Sequence, residues 1–299
     1  MKYVITGSVG HISKPLVENL VKAGHDVTVI SSKNNNRSVI EQLGAKAIIG
    51  SVEDVDFLKQ AFSNADAVYT MVPPNFGAAN WKEWIGSIGN NYASAIAATG
   101  IQHIVNLSSV GAHLPEGCGP VSGLYFAEQA LNKLAGVHVK HLRPGFFYHN
   151  FLANIGMIQH MNLIGGNYGD ASTNMVLVNP ADIAAVAAEE LLNLQFTGKS
   201  VRYIASDERT TGDIAQILGT AIGKPDLPWI NFSDEDTLKG MLQAGLPEEI
   251  AKNYTEMGIA LRNGSMTEDY YKNKPVLSNT KLESFANVFA QAYHQSINH

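Results

Sequence analysis

A glycine turn near the start of the chain constrains the fold more than any other feature. Residues 2–5 form a largely apolar run typical of a buried strand, and Gly7 and Gly10 follow in the pattern Thr-Gly-x-x-Gly. Gly7 permits a sharp turn after the strand, and Gly10 lets another group approach the backbone. The helix that follows exposes N–H groups that favour an anion. The sequence therefore predicts a turn that holds the diphosphate of a dinucleotide.

The residues after the turn support this interpretation. Ile12 and Leu16 lie on one face of a predicted helix, Gly24 ends that helix, and residues 27–30 form a second apolar strand. The third glycine of the dinucleotide fingerprint is replaced by Ser13. Serine is small, so helix and strand can still pack closely.

The end of the second predicted strand indicates which dinucleotide is preferred. An acidic residue at this place would hold the adenosine ribose of NAD, and the chain has none there. Ser31 and Ser32 follow the strand directly, and Lys33 and Arg37 lie in the same loop. Hydroxyl groups and cations suit a 2′-phosphate, which a carboxylate would repel. We therefore predict NADP(H) as the preferred cofactor, with NAD(H) as the alternative.

Short apolar segments continue to alternate with helical ones. Further strands are predicted at 47–49, 67–72, 103–107 and 137–142, with helices at 54–62, up to Thr99 and at 124–134. This alternation predicts an α/β fold with a Rossmann-like, doubly wound parallel sheet.

The chain is expected to divide near residue 150. Residues 1–150 are predicted to form the NAD(P)-binding domain, and 151–299 to supply the remaining sheet elements and a smaller C-terminal α/β lobe. A helix is expected at 151–160 and a strand at 175–178. Both are expected to extend the core, the strand by joining the central sheet. The segment at about 225–275 is the candidate lid.

Composition narrows the possible partners. The 299 residues carry a net charge of −6, which disfavours nucleic acid because phosphate contacts need a basic surface. No apolar run approaches the roughly 18 residues of a membrane helix. No secretory signal is expected, because the first residues lack a basic and an apolar region of that kind, and the one cysteine, Cys118, can form no internal disulfide. We expect a cytoplasmic protein that acts on a small molecule, and the oligomeric state stays open.

Ligands of doubly wound sheets bind outside the carboxyl ends of the strands, so the segments that follow each strand should form the site. The predicted cofactor-binding residues are Gly7, Ser8, Val9, Gly10, His11, Ile12, Ser31, Ser32, Lys33, Arg37, Met71, Val72, Pro73, Ser108, Ser109, Pro144, Gly145 and Phe146. The predicted substrate-contacting residues are Phe147, Asn150 and Trp81, with Tyr148 and Trp84 as further aromatic candidates.

Several of these motifs occur together in a known order. They are Thr6-Gly7-x-x-Gly10, Ser108-Ser109, Glu128, Leu142-Arg143-Pro144-Gly145-Phe146-Phe147 with Asn150, and Leu246-Pro247-Glu248-Glu249-Ile250-Ala251. On these residues the chain resembles, nearly end to end, the NmrA-like group of atypical short-chain dehydrogenase/reductases. That group includes NAD(P)H:quinone oxidoreductases and NADP-sensing regulators. The resemblance implies a Rossmann-like domain that binds NAD(P)H and a small C-terminal lobe that closes a cleft over the nicotinamide.

The catalytic residues of the wider superfamily are incomplete in this chain. The Tyr-x-x-x-Lys couple would pair Tyr125 with residue 129, which is Gln129, and Leu124 stands where many NmrA-like members have a lysine. A reductase that relays a proton through lysine is therefore not favoured, and a sugar-nucleotide epimerase is weaker still. Hydride transfer to a quinone asks less, since water or one hydroxyl can protonate the product.

We predict an oxidoreductase that transfers a hydride from NADPH to a quinone-like acceptor, with Tyr125 as the candidate catalytic residue. The alternative is a non-catalytic protein that senses the redox state of NADP(H). No metal site is predicted, because His138 and His141 lie three residues apart on a strand and would point to opposite faces.

Overall fold

Strands and helices alternate along most of the chain, of which the computed structural model describes residues 1–297. The strands in this range are β1 (Lys2–Ile5), β2 (Asp26–Ser31), β3 (Lys46–Ile49), β4 (Ala67–Thr70), β5 (His103–Leu107), β6 (His138–Pro144), β7 (Phe146–Phe147), β8 (Ile164–Gly166), β9 (Asn174–Val178), β10 (Lys199–Ile204), β11 (Asp207–Thr210) and β12 (Trp229–Asn231). The α-helices are α1 (Ser13–Lys22), α2 (Arg37–Gln42), α3 (Val55–Phe62), α4 (Trp81–Thr99), α5 (Pro120–Asn132), α6 (Ile155–Met161), α7 (Pro180–Asn193), α8 (Thr211–Ala221), α9 (Asp234–Gln243), α10 (Glu248–Arg262), α11 (Glu268–Lys272) and α12 (Leu282–Ile297). Short 3-10 helices occupy Asn34–Asn36, Tyr148–Asn154 and Ser265–Thr267.

The central sheet has seven parallel strands in the order β3-β2-β1-β4-β5-β6-β10. Its strands are apolar on both faces because helices cover both. Ile5 packs with α1 and α7 on one face, and Val4 packs with α3 and α4 on the other. The strand order reverses at β1, which has β2 on one side and β4 on the other. The prediction of a doubly wound parallel sheet is confirmed.

Local signals explain where the covering helices begin and how they pack. The carboxylate of Asp54 accepts hydrogen bonds from the backbone N–H groups of Asp56 and Phe57 and caps α3. Helices α4 and α5 lie very close together, since a Cβ on Gly89 would come within 2.4 Å of the Ala127 Cα. Helix α5 begins at Pro120, earlier than predicted, because proline suits the first turn of a helix.

The smaller lobe has its own sheets, and its apolar residues pack in one cluster with residues such as Val110 and Val121 of the larger domain. One sheet has the order β11-β9-β7, and a second pairs β8 with β12. The expectation that residues 175–178 join the central sheet is wrong. After β6 the chain leaves that sheet, and Gly145 lies so close to the next layer that a Cβ would come within 2.6 Å of the Val176 carbonyl oxygen. Strand β10 occupies the edge of the central sheet instead. Residues 148–154 form a 3-10 helix ahead of α6, where one continuous helix was predicted.

A buried arginine joins the two lobes. The Arg143 guanidinium on β6 donates two hydrogen bonds to the Glu128 carboxylate on α5, at 3.0 and 2.6 Å. It also donates to the Tyr203 hydroxyl and to the Asp269 carboxylate on α11. Tyr203 in turn donates to Asp269. Every charge in this cluster therefore has a partner of the opposite sign.

No helix within residues 1–297 combines the length and the apolar character that crossing a bilayer requires.

Candidate functional site

A cavity of about 680 Å³ lies outside the carboxyl ends of β1, β2, β3, β4 and β5, where the strand order reverses. This is the position that the doubly wound fold assigns to a ligand. The sequence-predicted residues on its wall are Gly7, Ser8, Gly10, His11, Ile12, Ser31, Ser32, Met71, Pro73, Phe147 and Asn150. The structure thus brings predicted residues from four regions of the chain to one cavity.

The conformation and packing of the turn require glycine at position 7. Its φ of +91° favours glycine, and a Cβ would lie 2.6 Å from Ser13 Oγ and 2.8 Å from Met71 Cγ. The Ser13 hydroxyl is buried and donates to the Thr6 carbonyl oxygen at 3.1 Å. Ser13 therefore fits at the third glycine position because its hydroxyl bonds inside the turn.

Gly10 has no such internal reason. Its backbone has an ordinary φ, and a Cβ would meet only the Gly7 carbonyl oxygen, at 3.5 Å, which is normal van der Waals contact. Gly10 nevertheless lines the cavity. A side chain here would extend into space that the chain leaves open beside the first turn of α1, where a diphosphate is expected.

A network of neutral polar groups forms the rim at the end of β2. The Ser8 and Ser31 hydroxyls lie 2.9 Å apart, and the Asn36 amide donates to both, at 2.9 and 3.0 Å. The two cations predicted for this rim are not on the cavity wall. Lys33 is exposed, and Arg37 lies 3.7 Å from Glu41 and bonds to the Ala47 carbonyl oxygen.

Sequence reasoning missed one part of the wall. Residues 50–53 follow β3 and line the cavity with Glu53 at their end. The Asn91 amide of α4 holds the segment by donating to the carbonyl oxygens of Val52 and Glu53. The rule that predicted the segments after other strands would have found this one, because Gly50 comes directly after β3.

Two histidines meet on the wall. The rings of His11 and His149 have centroids 4.5 Å apart, with 34° between their planes. His11 was predicted, whereas His149 was not singled out for the site. Burial, followed by the nearness of His11, holds the pKa of His149 below its ordinary value.

Several buried polar atoms on this wall have no hydrogen-bond partner within residues 1–297. They are Tyr69 Oη, Trp84 Nε1 and His149 Nδ1. Each such atom costs about 1–3 kcal/mol when it is left unpaired. A polar ligand would supply the missing partners, so both the open space at Gly10 and these donors fit a bound dinucleotide.

The remaining predicted residues lie away from the wall: Val9, Val72, Ser108, Ser109, Pro144, Gly145, Phe146, Tyr148, Trp81 and Tyr125. Trp81 packs between Phe76 and Tyr254, and Trp84, one turn further along α4, lines the cavity instead. Tyr125 contacts the exposed Phe126 ring edge to face. Ser109 donates to the Val110 carbonyl oxygen.

A second, larger cavity of about 800 Å³ follows strand β10 and contains none of the predicted residues. Its charged groups are already hydrogen-bonded within the protein. Arg202 bonds to Glu189 and Glu190, and the Asp182 carboxylate accepts hydrogen bonds from the hydroxyl groups of Ser206 and Thr280. Because these groups already have partners, we assign the chemistry to the smaller cavity.

Comparison with known proteins agrees with this architecture. The model of the NmrA-like family matches residues 2–270. A (4-alkanoyl-5-oxo-2,5-dihydrofuran-3-yl)methyl phosphate reductase of Streptomyces griseus is 22% identical over 264 residues, which cover 88% of each chain. The structure of an NADPH-dependent quinone oxidoreductase of Escherichia coli, solved with NADPH, is similar, with a TM-score of 0.78 and 20% sequence identity. The match covers 99% of this chain and 100% of that one. A triphenylmethane reductase of Citrobacter sp., solved with NADP(H), has a TM-score of 0.79 at 20% identity, covering 97% of this chain and 100% of that one.

Proposed function

We propose a reductase function for the chain, which belongs to the NmrA-like family: it binds NADPH and passes a hydride to a quinone-like acceptor. The observation that carries the proposal is the cavity at the reversal of the strand order, with Gly10 leaving open space on its wall. The similar structures named for quinone and triphenylmethane reduction, and solved with NADPH or NADP(H), support the same cofactor and class of reaction.

Different residues of the wall would bind the two ends of the cofactor. The backbone N–H groups at the start of α1 would hold the diphosphate, and the Ser8, Ser31 and Asn36 network would receive the adenosine ribose with its 2′-phosphate. Phe147 and Asn150 lie on the wall toward the smaller lobe and would flank the nicotinamide. Bound NADPH supplies the hydride.

The proposed class of acceptor follows from the incomplete Tyr-x-x-x-Lys couple. Tyr125 lies off the cavity wall, and Gln129 stands where the superfamily has lysine. An acceptor that spreads the arriving negative charge over a conjugated system needs no strong acid from the protein. Quinones meet this condition, because water can protonate the product.

We also propose that the segment at about 225–275 covers the acceptor side of the cavity, as a lid on the domain formed by residues 1–150. Helix α10 of this segment packs on α4 through Ile250, Trp81 and Ile85, and Trp84 joins that cluster to the cavity wall. The backbone N–H of Trp81 donates a hydrogen bond to the Glu249 carboxylate, and Lys82 forms an ion pair with Glu256; both bonds hold the contact.

We further propose a cytoplasmic location. The sole cysteine can form no internal disulfide, and burial raises the pKa of the Cys118 thiol to about 12, so it stays an unreactive thiol.

The test is NADPH oxidation by the purified chain with a panel of benzoquinones, naphthoquinones and triphenylmethane dyes, alongside calorimetry of NADP⁺ and NADPH binding. We expect turnover with at least one conjugated acceptor, and none from Gly10→Val, which serves as the matched control for enzyme contamination. Tight binding of NADPH without turnover of any acceptor would overturn the proposal and favour a sensor of cofactor redox state.

A further inference from the structure

The wall of the cavity carries no fixed positive charge. Among the described residues that line it, the side chains that can change charge are His11, His149, Glu53 and Tyr69, and none is lysine or arginine. A dinucleotide brings at least two negative charges on its diphosphate. If the proposed function holds, only the two histidines on the wall can become cations and balance them.

The geometry places these histidines together. His11 belongs to the glycine turn itself, between Gly10 and the start of α1, and His149 belongs to the 3-10 helix that follows β7. The ring centroids are 4.5 Å apart. At this distance both rings can contact the same ligand, and a charge on one ring affects the other. His149 Nδ1 is buried without a partner, and the other neighbour of this ring is Phe285, at 5.3 Å.

The charged groups of the surrounding elements leave the pair uncompensated. Lys14, in the first turn of α1, is exposed and lies off the wall. Glu283, near Phe285 on α12, is ion-paired with Arg209. Asp182, in the first turn of α7, accepts hydrogen bonds from hydroxyl groups. Glu53 follows β3, two strands away from the glycine turn.

His149 therefore has nothing to favour its charged form until an anion arrives. Burial and the nearness of His11 both lower its pKa. A diphosphate reverses this balance, because a negative charge within a few ångströms favours the imidazolium. In the free protein the His149 ring would stay neutral near pH 7.5, and it would gain a proton on binding.

We propose that His11 and His149 form a proton-dependent clamp on the diphosphate, so that coenzyme binding takes up a proton from solvent. The imidazolium then donates a hydrogen bond to a phosphate oxygen. No covalent or redox step is involved. Coenzyme affinity should consequently fall as pH rises, by up to about tenfold per pH unit for one linked proton.

The experiment is calorimetry of NADP⁺ binding between pH 6 and pH 8.5, in pairs of buffers with different heats of ionisation, which gives the number of protons taken up. His11→Gln and His149→Gln keep a hydrogen-bonding side chain but cannot become charged. His160→Gln, at an exposed histidine of α6, is the matched control. The 2′-phosphate of NADP⁺ also titrates, with a second pKa near 6, but its contribution is common to all variants.

We expect the wild-type protein and His160→Gln to take up clearly more protons than either glutamine variant at the wall. The affinity lost by His11→Gln and His149→Gln should be about tenfold at pH 6 and should shrink toward pH 8.5, whereas a purely structural role would lower affinity equally at every pH.

Proton uptake that is the same in all four proteins, or a loss of affinity that does not depend on pH, would overturn the clamp while leaving the proposed function intact. A wild-type protein that binds no NADP⁺ at any pH would overturn both.

Discussion

The two cavities of the molecule differ in how their polar groups are satisfied. Along β10, Arg202 and Asp182 are paired by neighbouring side chains, and Tyr203 and Asp269 are tied to Arg143. In the cavity beside the glycine turn, by contrast, polar atoms of Tyr69, Trp84 and His149 have no partner within the described residues. The polar groups of the cavity along β10 are thus satisfied by folding alone, whereas the cavity beside the glycine turn keeps polar atoms without partners.

The largest effect should come from removing a charge whose partners are buried, at Arg143. Arg143→Met leaves the Glu128 carboxylate, which is 1% exposed, without its cation. We expect the free energy of unfolding to fall by about 3–5 kcal/mol, because an unpaired charge is costly in the interior. Urea unfolding measures it. Arg37→Met, at an exposed pair, is the control and should cost less than about 0.5 kcal/mol. Equal losses in the two variants would mean that the buried cluster does not hold the lobes.

A substitution in the cavity beside the glycine turn should change cofactor binding rather than stability. Gly10→Val fills cavity space, and we expect NADP⁺ affinity to fall at least about a hundredfold, or roughly 3 kcal/mol, with little change in unfolding. Gly7→Val should lower both the NADP⁺ affinity and the stability, since its Cβ would collide with Ser13 and Met71. Gly240→Val, on open surface of α9, is the matched control. Calorimetry and urea unfolding separate the cases, and undiminished binding by Gly10→Val would mean that the cofactor lies elsewhere.

A satisfied network inside the central sheet predicts a dependence of stability on pH. His141 Nδ1 lies 3.1 Å from the Asn106 amide and Nε2 lies 2.9 Å from Asn132 Oδ1, which suits the neutral ring. Burial lowers the pKa of His141 to about 4. In the unfolded chain the ring takes up a proton at its ordinary pKa near 6.5, so the stabilisation is complete above pH 6.5 and is lost as pH falls toward 4.

We expect this loss to be about 3 kcal/mol, since the two pKa values differ by about 2.5 units, and urea unfolding at a series of pH values measures it. His141→Leu should show a flatter dependence in that window, and His160→Gln should follow the wild type. The same slope in His141→Leu as in the wild type would exclude His141 as the titrating group.

The smallest effect concerns the rim at β2. Asn36→Leu removes the amide that donates to Ser8 and Ser31, and we expect NADP⁺ affinity to fall about fivefold, or roughly 1 kcal/mol. Arg37→Ala should leave affinity almost unchanged, because Arg37 points toward Glu41 and the Ala47 carbonyl oxygen. A stronger effect at Arg37 than at Asn36 would show that the arginine reorients onto the 2′-phosphate.

These residues also show how far sequence reasoning reaches. The alternation of strands and helices and the glycine turn were predicted because apolar periodicity and the backbone freedom of glycine are local properties. Asn36 was missed since its amide bonds to Ser8, which is distant in sequence. Arg37 was placed on the rim by its nearness in sequence, but α2 turns its side chain toward β3. The strand predicted at 175–178 is present as Asn174–Val178 but lies in another sheet than predicted, because pairing depends on the path after Gly145.

By itself, then, the sequence determined the parallel sheet, the turn after β1 and the kind of ligand that such a turn accepts, since backbone geometry and apolar patterning are properties of neighbouring residues. Only the tertiary structure decided which polar groups stay without partners and that His11 and His149 share one wall. The partners of a buried polar atom come from segments far apart in the chain, so whether it is satisfied is a property of the whole fold.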